Sequence, residues 1–344
     1  MLEQGIKKII NNPQDLAEEM IAGFVEANKT LINYNSFAKS VIKNELKDKT
    51  IIIACGGCGC EPMMIGYIGE GMADAVCIGE MYAAPSAYSI YNLGKTLPNR
   101  QGLILVSQNF SGDFLNADMA KELLELEGYK VGTIFMNDNI GSEKKEFAGK
   151  RAGSVGLLFA LKILGAASEK ALGFNEIVKI GEKVKNNVFT IPVLLYAGVS
   201  PLSGKKLFSI DANRIEFGMG FNGEPGIKST EVLAADEIVN SAYALLVEEM
   251  QLSEGQELCI IINTFGTTTY MEQCIVYKHL AELLNRDKIK IFDVKIGRYL
   301  TSQETGGFSI TMLRLDEELK ELYRYPAYSP AFSNFMELNH IRNR

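Results

Sequence analysis

Histidine is almost missing from this chain, with only His279 and His340 among 344 residues. No HxxxH pair exists, so a metal centre or an acid-base relay built on several imidazoles is excluded. Cysteine is sparse too. Six residues are too few for a disulfide scaffold at this length, and the N-terminal MLEQGIKKIINN lacks the apolar stretch of an export signal. The thiols are therefore expected to be reduced. No window reaches the ~18 uninterrupted apolar residues of a spanning helix, and SVGLLFALKILGAA is short and broken by Lys162. A basic excess is also lacking. Lys and Arg number 35 against 42 Asp and Glu, giving a net charge of -7, whereas nucleic-acid footprints are basic patches or stripes. These absences predict a soluble, cytoplasmic protein with no direct nucleic-acid or membrane contact.

What is present is a large apolar fraction, 47%, enough to bury cores, and a length matching about two domains of ~150 residues. Residues 13 to 48 read as helical, with Leu16, Met20, Ile21 and Phe24 on one stripe. Short apolar runs then recur: TIIIAC, GLILVSQ, VGTIFMN, IPVLLYA, IEFGMGF, LCIIINT and IKIFDVKI. Most are apolar at consecutive positions, as strands covered by helices on both faces are. Helical patterns at 116–128 and 270–286 lie between strands. The fold class is α/β, in two layered α/β domains, with a boundary near 187 that divides the chain into 1–187 and 188–344.

Ligands of open α/β sheets bind beyond the carboxyl ends of the strands. Three loops there combine glycine with a carboxylate: CGGCGCEP with Glu61, NFSGDF with Asp113, and GFNGEPG with Glu224. Turn chemistry alone also produces such loops. The Cys55-x-x-Cys58-x-Cys60 spacing suggests zinc, but structural zinc sites usually show a second ligand pair and none is present. No metal is expected. A thioredoxin-like redox pair lacks its usual setting.

The motifs CGGCGCEPMMIGYIGEGMADAVCIGE, NFSGDFLNADMA, AGKRAGSVGLLFALKILGAASE, EFGMGFNGEPGI, NTFGTTTYMEQ and TGGFSITMLRLDEE, in this order, resemble the K subunit of dihydroxyacetone kinase along nearly the whole chain. The resemblance implies a two-domain α/β fold, a homodimer, and glycine-rich loops that hold a triose, so that Gly56, Gly57, Cys58, Gly59, Gln108, Asp113 and Asn222 are expected at the ligand. It implies no cofactor on this chain, with ADP and magnesium carried by a separate subunit.

The departures from that pattern fall on its chemistry. Asn222 stands where the family has the histidine that forms a covalent adduct with the ketone carbon, and an amide nitrogen delocalised into its carbonyl is a poor nucleophile. Cys60 stands where the family has an acid-base histidine, and Gln108 where it has a substrate-binding lysine. Asp113 alone is retained as an acid-base candidate. A Cys60 thiolate could add to a ketone only if a cation, a metal or a helix N-terminus lowered its pKa, and Glu61-Pro62 reads as a first helical turn. The expectation is a ligand sensor or coactivator that binds a small ketose or polyol non-covalently and acts through a protein partner, either a DNA-binding regulator or an ADP-binding kinase subunit. The alternatives are an active kinase-type subunit and a binding protein without a regulatory role.

Overall fold

The computed structural model describes residues 7–98 and 100–336, so His340 lies outside the described residues. The chain forms two compact units. One comprises Gln14–Met136, Leu157–Asn186 and Glu317–Arg344; the other comprises Met1–Pro13, Asn137–Gly156 and Asn187–Asp316. The single cut at 187 expected from sequence is therefore corrected. The residue is one crossing point, but among the described residues 7–13, 137–156 and 317–336 each belong to the opposite unit from the one that cut assigns.

The first unit begins with α1 (Leu16–Ala27) and continues through β1 (Ile32–Asn35), β2 (Ser40–Lys43), β3 (Ile51–Cys58), β4 (Ala75–Met81), α2 (Ala87–Thr96), β5 (Leu103–Gln108), α3 (Ser111–Leu126) and β6 (Val131–Met136), then α4 (Leu157–Glu169) and α5 (Phe174–Lys185). The helical reading of 13–48 holds only for α1. Beyond Ala27 the chain makes a hairpin, because INYN and SVIK pair Ile32 with Lys43 and seat β2 beside β4. Sheet order is β1-β2-β4-β3-β5-β6, with β4, β3, β5 and β6 mutually parallel. All but one residue of β3 and all of β5 are buried. Consecutive apolar residues are what a doubly covered strand needs.

The second unit holds β7 (Val188–Tyr196), β8 (Arg214–Phe217), β9 (Lys228–Glu231), α6 (Ala235–Met250), β10 (Glu257–Thr264), α7 (Tyr270–Arg286), β11 (Lys290–Gly297) and β12 (Gly306–Leu315). Its sheet runs β11-β10-β12-β7-β8-β9, and only β10 and β11 are parallel. Thr269 and Glu272 form a capping box that starts α7, satisfying amide hydrogens that an uncapped helix would leave exposed. The chain then returns to the first unit as α8 (Glu317–Arg324), β13 (Ala327–Ser329) and β14 (Phe332–Asn334). Lys162, fully buried within apolar α4, donates a 2.8 Å hydrogen bond to the Leu322 carbonyl near the end of α8. A lysine head at a helix C-terminus satisfies a carbonyl left over there. No helix of the described residues is long and apolar enough to cross a membrane.

Candidate functional site

In the first unit β3 lies between β4 and β5; the chain leaving β3 goes to β4 on one side, and the chain leaving β5 goes to β6 on the other. The carboxyl ends of β3 and β5 are thus at the position where open parallel sheets place ligands. The loop after β3 carries Cys60; β5 ends in Gln108 and is followed by Asn109, Phe110 and the first turn of α3 with Asp113. The sequence-derived residues Gly56, Gly57, Cys58, Gly59, Cys60, Gln108 and Asp113 are thus brought to the ends of neighbouring strands.

The glycines there serve close approach of the chain to itself. A Cβ on Gly57 would sit 2.6 Å from the Ala83 carbonyl oxygen, and one on Gly79 only 2.0 Å from the same oxygen. The segment Ala83–Pro85 thus lies directly against β3 and β4. Sequence reasoning passed over this segment, although Gly79 inside an apolar run signals such an approach. Gly59 has φ +104, and a Cβ there would also meet Met81 and Tyr82. Its amide donates to Glu61 Oε1 at 2.7 Å.

Glu61 folds back into the loop, and burial raises its pKa. Residues 59–64 form a bend and turns rather than a helix, which corrects the expected first helical turn at Glu61-Pro62. No helix N-terminus is available there to activate Cys60. The neighbouring thiols are poor nucleophiles. Burial, reinforced by the carboxylates Glu61 and Glu80, pushes Cys58 up to about 12, and burial alone does the same to Cys77. Cys55 is raised as well, by burial first. Among the described residues no group of three or more His, Cys, Asp or Glu is placed to hold a metal ion.

Asp113 has a different character. It is partly buried in the first turn of α3, and one carboxyl oxygen, Oδ1, is fully buried with no hydrogen-bond partner among the described residues. Burial pushes its pKa up to about 7, against the smaller opposing effect of a hydrogen bond from its own backbone. A carboxyl group balanced between its two protonation states near neutrality can give or take a proton, or hydrogen-bond a hydroxyl in either role. Gln108, buried at the end of β5, offers both an amide donor and a carbonyl acceptor.

Asn222 belongs to the second unit, in the loop joining β8 to β9, where Phe217 pairs with Lys228. Gly218, with φ +80, packs against Gly141 so tightly that a Cβ on it would lie 2.5 Å from the Gly141 Cα. Asn139 braces the contact by donating to the Gly218 carbonyl at 3.0 Å and accepting from the Gly141 amide at 3.0 Å. At the tip the Phe221 side chain is buried, its carbonyl accepts a 2.8 Å hydrogen bond from Ser302 Oγ, and Asn222 is exposed. Glu224 closes the loop. Its backbone carbonyl accepts from the Gly220 amide at 3.0 Å, and its carboxylate accepts from the Asn222 amide at 3.3 Å. The braces Asn139 and Ser302, distant in sequence, carried no signal in the loop motif itself.

This framework matches the Dak1 domain family model over residues 22–331. The chain belongs to the Dak1 domain family. Among curated relatives of this Dak1 protein, one is the dihydroxyacetone-binding subunit DhaK of the PTS-dependent dihydroxyacetone kinase 2 of Listeria innocua, 34% identical over 95% of this chain and 99% of the relative. Another is the dihydroxyacetone-binding subunit DhaK of the PEP-dependent dihydroxyacetone kinase of Escherichia coli, 30% identical over 95% of this chain and 99% of the relative. Among solved structures, the dihydroxyacetone kinase operon co-activator Dha-DhaQ superposes with a TM-score of 0.86 at 24% identity, covering 92% of this chain and 98% of that one. That likeness concerns the fold of the Dak1 protein: two α/β units with mixed sheets.

Proposed function

We propose that this Dak1 protein binds a small ketose or polyol reversibly, is impaired in phosphoryl transfer, and acts through a protein partner. The observation that carries the reading is Asn222 at the tip of the braced loop, where the family resemblance calls for a histidine nucleophile. The loop is still built to present a side chain, since Glu224, Gly218 and Ser302 hold it at both base and tip. An amide at that tip can hydrogen-bond a carbonyl or hydroxyl but cannot form the adduct. Cys60 and Gln108 in place of a histidine and a lysine remove acid-base and cationic help. General acid-base catalysis alone is worth on the order of 10²–10⁴ in rate.

The names of the Listeria and Escherichia relatives support dihydroxyacetone or a close analogue as the ligand. The co-activator among the structural neighbours gives a precedent for the fold serving regulation. The net charge of -7 suits a protein that reaches DNA through a partner rather than directly.

A second reading, an active subunit fed by an ADP-binding partner, draws on one observation. Asp113 retains a carboxyl whose pKa, about 7, suits a general base at neutral pH.

The deciding experiment is a thermal-shift titration with dihydroxyacetone and erythrulose, followed by borohydride reduction and intact mass measurement. Reversible stabilisation of roughly 2.7 kcal/mol at 100 times the dissociation constant, with no reduced adduct, supports the proposal. A borohydride-stable adduct overturns it.

A further inference from the structure

Asn222 is followed by Gly223, and this is the only Asn-Gly pair in the 344-residue sequence. The pair lies at the exposed tip of the β8–β9 loop, where Gly223 holds φ +94. Among the described residues no hydrogen bond engages the Asn222 side-chain amide; its backbone amide alone is tied, to Glu224 Oε2 at 3.3 Å. Glycine leaves its own backbone nitrogen unshielded by a side chain, so that nitrogen can reach the preceding amide carbon.

We propose that Asn222 is a site of spontaneous deamidation, which converts the neutral tip of this loop into a carboxylate. The Gly223 backbone nitrogen attacks Asn222 Cγ and the new N–C bond closes a five-membered succinimide. The Cγ–Nδ2 bond breaks, and ammonia leaves with the proton from the Gly223 nitrogen. Solvent water then opens the ring at either carbonyl, giving aspartate or isoaspartate at 222. Either product adds one negative charge beside Glu224.

The structure also sets the control on this reaction. The Gly223 N–H is donated to the Gly220 carbonyl at 2.9 Å, so the attacking nitrogen becomes available only when the Gly220–Glu224 turn opens. Glu224 holds that turn shut from both sides, through its carbonyl on the Gly220 amide and its carboxylate on the Asn222 amide. Opening of this one turn, exposed at Asn222 and buried at Gly220 and Phe221, is a local event that costs less than global unfolding, so conversion proceeds in the folded protein. The site is a slow chemical clock at the position where the loop meets solvent.

The test is incubation of the full chain at 37 °C and pH 8, with peptide mapping by mass spectrometry and isoaspartyl methyltransferase labelling over time. A gain of about 1 Da should localise to the peptide containing residue 222. Isoaspartate should accumulate there ahead of every other asparagine, at a rate within roughly a hundredfold of the urea-unfolded chain. Asn222→Gln should abolish the signal, because its longer side chain cannot close the five-membered ring, and Glu224→Ala should accelerate it by releasing the turn. An amide at 222 that stays intact in the folded chain while the unfolded chain converts fully overturns the proposal. So does a Glu224→Ala rate equal to that of the parent.

Discussion

Asp113 is the residue that carries the reading of an active subunit, and its protonation leaves a signature in stability. Its pKa is raised by burial to about 7 from an ordinary 3.8. Below the unfolded value both states are protonated and the group has no effect. As pH rises from about 4 to about 7 the unfolded chain releases its proton while the folded chain keeps it, so stability falls across that window and levels off above it. Asp113→Asn removes this slope. The variant should match the parent at pH 4 and exceed it by on the order of 1 kcal/mol or more at pH 8, read from urea unfolding at both pH values. The same substitution should weaken dihydroxyacetone binding if the buried Oδ1 is the oxygen that meets a ligand hydroxyl.

At the scale of elements, the end of β3 is held by its glycines rather than by its cysteines. Gly57→Ala would drive a methyl group to 2.6 Å from the Ala83 carbonyl. Backbone cannot yield as a flexible side chain does, so the cost should be about 1–3 kcal/mol, with a rise in the ligand dissociation constant as the Ala83–Pro85 segment shifts. Cys58→Ser at the same strand end should leave binding within about threefold, because its thiol, raised to about 12, is uncharged at neutral pH. Thermal-shift titration of both variants measures the contrast.

Much of this scale was legible in the sequence. The runs IIIA, LILVSQ, VGTIFM and LCIIINT are strands, and the pattern over 270–286 is α7 to the residue. The misses have physical causes. INYN and SVIK are short and half polar, so their strand character comes from pairing with each other and with β4. Ala75–Met81 and Gly306–Leu315 start next to glycine-rich or acidic stretches that mask their period. The turn after Cys60 looked helical because Glu-Pro commonly opens a helix, yet the Glu61 carboxylate is spent on the Gly59 amide two residues back.

For the whole molecule, the three loops singled out by position, glycine and carboxylate do follow strands, after β3, β5 and β8, whereas the division into units is not a single cut. The chain crosses between units after 13, 136, 156, 186 and 316, so each unit is assembled from segments far apart in sequence, and only long-range pairing reveals which segments belong together. Assembly is a further expectation of the family resemblance, since most soluble oligomers close by two-fold symmetry. Light scattering should give about twice the 37.9 kDa chain mass, and a stable monomer would contradict it.

The central claim, that the ligand loops survive without the phosphotransfer chemistry, is tested most directly by turnover. The purified chain is assayed with dihydroxyacetone and an added ADP-binding partner subunit, beside the triple variant Cys60→His, Gln108→Lys, Asn222→His. The account predicts turnover by the parent at least ~10²-fold below the triple variant, the scale of one lost acid-base group. Parent turnover equal to that of the triple variant would contradict it and leave Asp113 as the catalytic group.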